Sequence, residues 1–580
     1  MTFRESTPLQ ALAEQAAHWH ALLSRLDPAA VIMTVAAAVL FFLVLYPVFW
    51  LFFGSFAYGD RPWSGAALAA LWQLPGIGRA IENTLSLLAG AVPLSFVFAL
   101  PLVFIVTRTD TPLKGVIEIA ALLPFITPPL IGAVAWALLA APRTGLINVL
   151  ARQLGANAPV LNIYSMSGLI FVMALYVSPY VFLTVQAVMH RMDASLEQAS
   201  LISGASPWRM VFGIVLPLSM PAILSAGILV MTRIIEEFAI PGVLGAPTGI
   251  YTITTYVYYQ AVSYVPPRYE VAAVLASLLM GLTALLLGLQ SRILGGRSFT
   301  TVTGKGHAPR LLRLGPWRWV TLVYALVYLG LTVGLPYVVL LYAALISQWG
   351  AAPVPRNLTL ANVASTFDPG LTASSGLLNS LVLAFAGATF ATLLTLVISY
   401  MIAKARSWKR GILEFVSSIP LTMPGPVIAV AMLWAYLHEP FVLYGTLWIL
   451  LVAYVTHYLP YGVRTITGSF RQISPELERA ASACGASRLA AFRDILLPLV
   501  RPGILAGWML MFVSMIRELS SSIFLFVPGT ETTAVTMLEM WQEARFSGVA
   551  VLALTLIAIS IVVLVLVRRL AGAAYLSGER

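Results

Sequence analysis

Residues Glu478–Pro502 read ERAASACGASRLAAFRDILLPLVRP, and residues Glu197–Pro221 read EQASLISGASPWRMVFGIVLPLSMP. Both begin on an acid, reach a glycine (Gly204, Gly485), and end on a Leu-Pro pair (Pro217, Pro498) that opens a long apolar run. A charged, small-residue segment is therefore held twice at the same place between apolar runs, and its repetition sets the reading of the whole chain. An offset of 281 carries Glu197 onto Glu478, Gly204 onto Gly485, Pro217 onto Pro498 and Glu237 onto Glu518. An offset of 296 carries Asn83 onto Asn379, Arg108 onto Lys404, Glu118 onto Glu414, Pro124 onto Pro420 and Pro128 onto Pro424. The chain is one unit written twice. The offsets differ by 15 residues, which places an insertion in the first copy around residues 142–163, GLINVLARQLGANAPVLNIY with its flanks.

Composition fixes the class. Of 580 residues, 59% are hydrophobic and only 10% charged, too apolar for a soluble protein with a polar surface. Runs of about 20 apolar residues, enough for a helix to cross a bilayer core of ~30 Å, recur along the chain. Twelve are read, near residues 31–54, 84–106, 116–140, 166–189, 211–235, 271–290, 319–346, 377–403, 412–437, 441–463, 499–526 and 547–567. The expected fold is all-α and polytopic: a first six-span half (1–290), a basic linker (291–317) and a second six-span half (318–580). Six spans per half leave both copies in one orientation, so the repeats are parallel, related by an axis along the membrane normal.

Charge sets the expected orientation. The net charge of +11 collects in alternate loops: Arg292, Arg297, Lys305, Arg310, Arg313 and Arg318 in the linker, Lys404, Arg406, Lys409 and Arg410 after the eighth run, and Arg568, Arg569 and Arg580 in the tail. The opposite loops carry Asp368, Glu531, Glu539 and Glu543. Such positive loops face the cytoplasm, so both termini are expected inside and no nucleic-acid partner is implied. The polar segment before the first run, with Glu5, Glu14, His18, Arg25 and Asp27, does not resemble a cleaved signal peptide. The single cysteine, Cys484, excludes an intrachain disulfide and reads as a small residue.

In that orientation both repeated segments face the cytosol. Ser474 and Pro475 ahead of Glu476 and Glu478 make a good helix start, because a serine cap and first-turn carboxylates complement the orphan amides. Gly485 among Ala483, Cys484, Ala486 and Ser487 then marks a bend or a close approach. A lone segment of this kind would fit an amphipathic helix on the headgroups. Two copies that keep acid, glycine and Leu-Pro point instead to a docking element.

The spacing resembles the cytoplasmic signature of permease subunits of ATP-binding cassette (ABC) importers. Here it is Glu197, Ala199, Gly204, Ile214, Leu216 and Pro217, and again Glu478, Ala480, Gly485, Ile495, Leu497 and Pro498; the family's first alanine is replaced by Gln198 and Arg479. The resemblance implies coupling helices near 195–217 and 475–498. It also implies two ATPase subunits, expected as a homodimer, a periplasmic binding protein that delivers cargo, and a bacterial inner-membrane location. ATP and Mg would belong to the ATPases: no phosphate-binding loop is present in this chain, for which neither cofactor nor catalysis is expected. The fused halves, with Glu236-Glu237-Phe238-Ala239-Ile240-Pro241 and Arg517-Glu518-Leu519-Ser520-Ser521-Ser522, resemble the ferric-iron branch, with thiamine and 2-aminoethylphosphonate importers as relatives.

Glu236, Glu237, Arg517 and Glu518 are the candidate pathway or gate residues, at the outer ends of the fifth and eleventh spans. Carboxylates suit a hard cation; the competing reading pairs Arg233 with Glu237, and Arg517 with Glu236 or Glu518, as internal neutralisation. The tyrosines from Tyr251 to Tyr269 read as an aromatic belt. The six histidines show no metal-site spacing, and Asn357-Leu358-Thr359 is a background match to a glycosylation acceptor. Pro124 with Pro128, and Pro420 with Pro424, are expected to kink the third span of each half through packing; the competing reading is a broken helix lining the passage. A secondary transporter would need mid-span coupling acids and no docking segment, and a membrane enzyme would need clustered catalytic side chains; neither pattern is found.

Overall fold

Why the chain crosses the membrane as helix follows from its backbone: in hydrocarbon every N–H and C=O must be satisfied within the protein. The computed structural model describes residues 28–56, 69, 71–190, 192, 194–295, 311–351, 354–368, 370–404, 407–437 and 439–577. The segment 1–27, residues 296–310 of the linker with Arg297, Lys305 and Arg310, and Arg406, His438 and Arg580 lie outside the described residues. Among the described residues the chain is helical throughout, apart from turns and two isolated bridges, Thr109 with Leu312 and Ile346 with Leu358. Nine helices among the described residues are long and apolar enough to cross a membrane, and two bent pairs raise the number to 11. The remaining expected span is the 24-residue helix Leu447–Phe470, made less apolar by His457 and Arg464.

The longest helices show how the halves are built. Ile77–Arg108 buries Ala80, Thr84, Leu87, Ala91, Ser95, Ala99 and Leu102, a stripe of mostly small residues at helical spacing. Its copy, Thr372–Lys404, buries Gly376, Ser380, Leu383, Gly387, Ala391, Thr395 and Ile398 at the offset of 296. Leu85, Val97, Val382 and Leu393 stay exposed on the outer sides of these helices, where lipid takes the place of water. The repeated Asn83 and Asn379 pin the loop that closes each half: their amides donate to Tyr251 O at 2.9 Å and Glu531 O at 3.0 Å.

The first span of each half crosses to the other. Pro28–Phe56 reaches the second half, where Tyr46 donates to Ala435 O at 3.2 Å and Thr456 donates to Leu43 O at 3.3 Å. Trp317–Leu345 lies on the first half, with Tyr328 bonded to Ser178 at 2.7 Å and Tyr337 to Thr127 at 2.6 Å. The halves are therefore interlocked, although the linear boundaries run one after the other.

The third span of each half is broken, not merely kinked. Lys114–Phe125 meets Pro129–Ala140 at 98°, and Trp408–Thr422 meets Gly425–Tyr436 at 106°. Proline explains the break in both copies. The residue before Pro128 and before Pro424 is driven out of the helical region, so Thr127 and Met423 are extended at ψ 126° and 94°. In the first copy Pro129 also has no N–H to return to the Phe125 carbonyl. The helix after each break has 12 residues, about 18 Å long. It is buried along nearly its whole length, which a helix shorter than the ~30 Å apolar core requires.

The copies differ where the offsets change. Twenty-five residues, 141–165, separate the third and fourth spans of the first half, against ten, 437–446, in the second. The insertion forms a short helix, Leu146–Gln153, held by the buried Asn148. Its amide donates to Leu161 O at 2.7 Å and Ala141 O at 3.0 Å, and its oxygen accepts from the N–H groups of Val160 at 2.8 Å and Leu161 at 3.0 Å. Asn148→Ala would strand these buried groups at about 1–3 kcal/mol. The expected outcome is new protease cleavage within 141–165 of the purified protein, with the rest of the helical bundle still resistant; unchanged resistance of the loop would show that Asn148 does not hold it.

Candidate functional site

Each repeated segment folds as a short helix, a left-handed turn and a second helix that becomes a membrane span. In the first copy these are Ala194–Ile202, Gly204 and the long span to Glu236; in the second, Pro475–Ala483, Gly485 and the span to Ile516. Ser474 caps the second copy by accepting from the Glu476 N–H at 3.3 Å. Gly204 and Gly485 sit at φ +83° and +84°. The N–H of the next residue closes the helix end, Ala205 onto Ser200 O at 3.1 Å and Ala486 onto Ala481 O at 3.0 Å, in the reverse turn that favours glycine. A Cβ at either glycine would meet open space. The residue is needed for its backbone angle, and the expected bend, not a crowded contact, is what it provides.

Ser206 and Ser487 start the next turn by accepting from the Arg209 N–H at 3.3 Å and the Ala490 N–H at 3.2 Å. A single wide turn follows in each copy, Val211–Val215 and Phe492–Leu496, just before Pro217 and Pro498. The missing proline N–H is accommodated there, which gives the Ile-x-Leu-Pro pattern a physical role. Ala199 and Ala480 are exposed, as are Ile202, Trp208, Leu477 and Leu489, so each element presents a partly apolar outer face.

The acid of each element points inward. Glu197 accepts from Arg108 Nε at 2.9 Å; both side chains are buried, and Arg108 also donates to Met189 O at 2.8 Å. Burial pushes the Glu197 carboxyl up, and the Arg108 guanidinium opposes that shift. Glu478 is held by Lys404 and by Tyr400, whose hydroxyl donates at 3.1 Å. The second tie is more open, with Lys404 37% exposed against 1% for Arg108. Removing Arg108 would leave a buried acid unpaired, at about 3–5 kcal/mol, whereas a half-exposed lysine bridge contributes about 0–1 kcal/mol. The sequence signal for these cations was their coincidence at the offset of 296; their partners could not be read from it.

The other ends of the same two spans meet at a cavity of about 160 Å³ lined by both halves. Glu236, Glu237, Arg517 and Glu518 all line it, together with Arg233, Tyr180, His457, Tyr458 and Tyr461. The expected ion pairs are corrected by the geometry. The helix ends at Glu236, so Arg233 pairs with Glu236 at 2.8 Å and not with Glu237. Arg233 also donates to Tyr461 at 2.8 Å. Arg517 pairs with neither Glu236 nor Glu518; it donates to Phe125 O at 2.6 Å. That carbonyl is the one freed by Pro129, so an arginine of the second half completes the broken helix of the first. Pro124, Phe125, Thr127 and Pro129 themselves line the cavity, which favours the broken-helix reading over the packing kink.

Glu237 and Glu518 have a second duty. Glu237 accepts from the Ala239 N–H at 2.8 Å, and Glu518 from the N–H and hydroxyl of Ser521 at 2.8 and 3.0 Å and from the Tyr458 hydroxyl. Each carboxylate caps the turn that follows its span. The tyrosines near Tyr251–Tyr269 pack on one another and on Phe238, Phe524 and Arg268. No group of three or more His, Cys, Asp or Glu residues that could hold a metal ion occurs among the described residues. Glu518→Gln keeps an acceptor for Ser521 and removes the charge, whereas Glu518→Ala removes both. Thermal unfolding in detergent should place the Ala variant about 1 kcal/mol below the Gln variant; equal stability of the two would rule out the capping role.

Comparison with known proteins agrees with this geometry. The model of a family described as binding-protein-dependent transport system inner membrane component matches residues 91–298 and 395–573, one segment in each half. The chain is 25% identical over 514 residues to a ferric transport system permease protein FbpB of Actinobacillus pleuropneumoniae, covering 88% of this chain and 74% of the relative. It is 26% identical over 493 residues to a putative ferric transport system permease protein FbpB 1 of Haemophilus influenzae, covering 85% and 77%. A putative 2-aminoethylphosphonate transport system permease protein PhnV of Salmonella paratyphi A is 26% identical over 241 residues, covering 41% of this chain and 88% of the relative.

Proposed function

The chain belongs to the family of binding-protein-dependent transport system inner membrane components, and we propose that this ABC importer permease carries ferric iron. The observation that carries the transport reading is the duplicated helix–glycine–helix element, tied by its acid to the bundle and open on its outer face. In this reading each outer face docks one of two ATPase subunits, expected as a homodimer, which bind ATP and Mg. A periplasmic binding protein delivers cargo on the opposite side. The permease performs no covalent chemistry, and both termini face the cytoplasm of a bacterial inner membrane.

Ferric iron is favoured by similarity to two ferric transport permeases over about three quarters of their length. The three carboxylates that line the cavity offer oxygen donors along a passage, while among the described residues they form no metal-holding group. Hard cations favour oxygen donors, and a conducting site must bind weakly enough to release. The second reading, 2-aminoethylphosphonate, is supported by the similarity to the PhnV protein and by Arg233 and Arg517 beside the same acids, since guanidinium groups suit a phosphonate. Thiamine completes the set to be tested.

The test is labelled ferric-iron uptake in iron-starved cells lacking the gene, complemented by the parent or by a Gly204→Asp, Gly485→Asp double variant, with thiamine and 2-aminoethylphosphonate in parallel. The parent should restore iron uptake. The double variant should fall by about tenfold or more, the factor set by a loss of ~1.4 kcal/mol in docking. Normal iron uptake without the gene, alongside loss of another cargo, would discard iron. Glu237→Gln and Glu518→Gln should each reduce uptake more than they reduce assembly; normal uptake by both would remove these acids from the pathway.

A further inference from the structure

The two docking elements are copies, but the links that hold them to the bundle are not equivalent. On the first, one guanidinium joins three pieces of chain. Arg108, at the end of the second span, donates to Glu197 of the element at 2.9 Å and to Met189 O at the end of the fourth span at 2.8 Å. The chain arriving from the linker adds to this point: the Leu312 N–H donates to Arg108 O at 2.8 Å, the Asp110 N–H to Leu312 O at 3.1 Å, and the Leu314 N–H to the Asp110 carboxylate at 2.9 Å. Thr111 and Thr321 bond at 2.7 Å just beyond. The second element is held through Lys404 and Tyr400 on Glu478, with Lys404 37% and Glu478 19% exposed.

A planar, buried fork with two directed bonds fixes orientation as well as distance. A half-exposed ammonium on a four-carbon stem fixes neither and is screened by salt. We propose that Arg108 is a positioning residue that makes the first docking element the stiffer lever, so that this element carries the larger share of coupling between ATPase closure and movement of the bundle. The proposal rests on the importer reading. It assigns no contact with cargo or nucleotide to Arg108; the residue acts through Glu197.

The quantity to measure is labelled ferric iron imported per ATP hydrolysed, by the complete complex purified from membranes and reconstituted with its binding protein. Arg108→Lys keeps the charge and removes the fork. It should lower the ratio by about two- to thirtyfold, the range of coupling changes seen along such networks, while ATP hydrolysis continues. Lys404→Arg should leave the ratio within about twofold. Asp110→Ala, which loosens only the strap from the linker, should fall between them.

Hydrogen exchange of the unaltered complex gives a readout free of folding defects: amides of 194–202 should exchange more slowly than those of 475–483. Equal or faster exchange in the first element, or an equal loss of coupling from Arg108→Lys and Lys404→Arg, would overturn the proposal. A parent chain that assembles with no ATPase would bring down the importer reading and this proposal with it. A coupled parent with equal variants would overturn the proposal alone.

Discussion

A carboxylate held against a cation at the end of a long span ties each repeated element to the bundle, and on the first element, where both groups are buried, it fixes where the element sits. An unpaired buried acid is costly, so Glu197 cannot leave Arg108 without a replacement partner, whereas the more exposed Glu478 is held more loosely by Lys404 and Tyr400. The surrounding backbone follows from this tie. With the acid facing in, the left-handed glycine must turn the chain away, and the small outer face of Ala199, Gly204, Ala480 and Gly485 is left open. The proline at the next helix start is then tolerated because the preceding turn has already widened.

The same two spans that leave the docking elements end at the central cavity. Leu216–Glu236 and Leu497–Ile516 have 21 and 20 residues, about 30 Å of helix. In the proposed function a displacement at one end would be delivered to Glu236 and Glu237, or to Arg517 and Glu518, through a single helix whose only interior prolines, Pro221 and Pro502, lie near its start. The broken third spans give that movement something to act on, since Arg517 holds the carbonyl freed at Phe125 across the boundary between the halves. Rocking of two parallel repeats around a shared site is the motion such an arrangement allows.

Much of this was legible in the sequence, and the failures have physical causes. Periodic apolar length gave the spans, and the paired offsets gave the duplication and the insertion between the third and fourth spans of the first half. Gly204 and Gly485 read as a bend or a close approach, and their positive φ, with open space at each Cβ position, is the bend. The pairing of Arg233 was misread because a one-turn spacing assumes the helix continues, and it stops at Glu236. The near-right-angle break at Pro128–Pro129 was misread as a kink because sequence does not show which distant donor, here Arg517, will take the freed carbonyl. The exchange of first spans between halves left no local signal. Arg108 and Lys404 were visible as a repeated cation, but their contact with Glu197 and Glu478 spans 89 and 74 positions and emerges only from packing.

In the proposed function the repeated elements face the cytosol and are covered by ATPase subunits. Cys484, the chain's single cysteine, is exposed beside Gly485 and reports on both statements. The measurement is alkylation of Cys484 by a membrane-impermeant maleimide in inside-out vesicles, before and after the peripheral ATPase subunits are stripped. Slow labelling is expected with the subunits present and rapid labelling once they are removed. Labelling confined to right-side-out vesicles, or equally rapid labelling with and without the subunits, would contradict it.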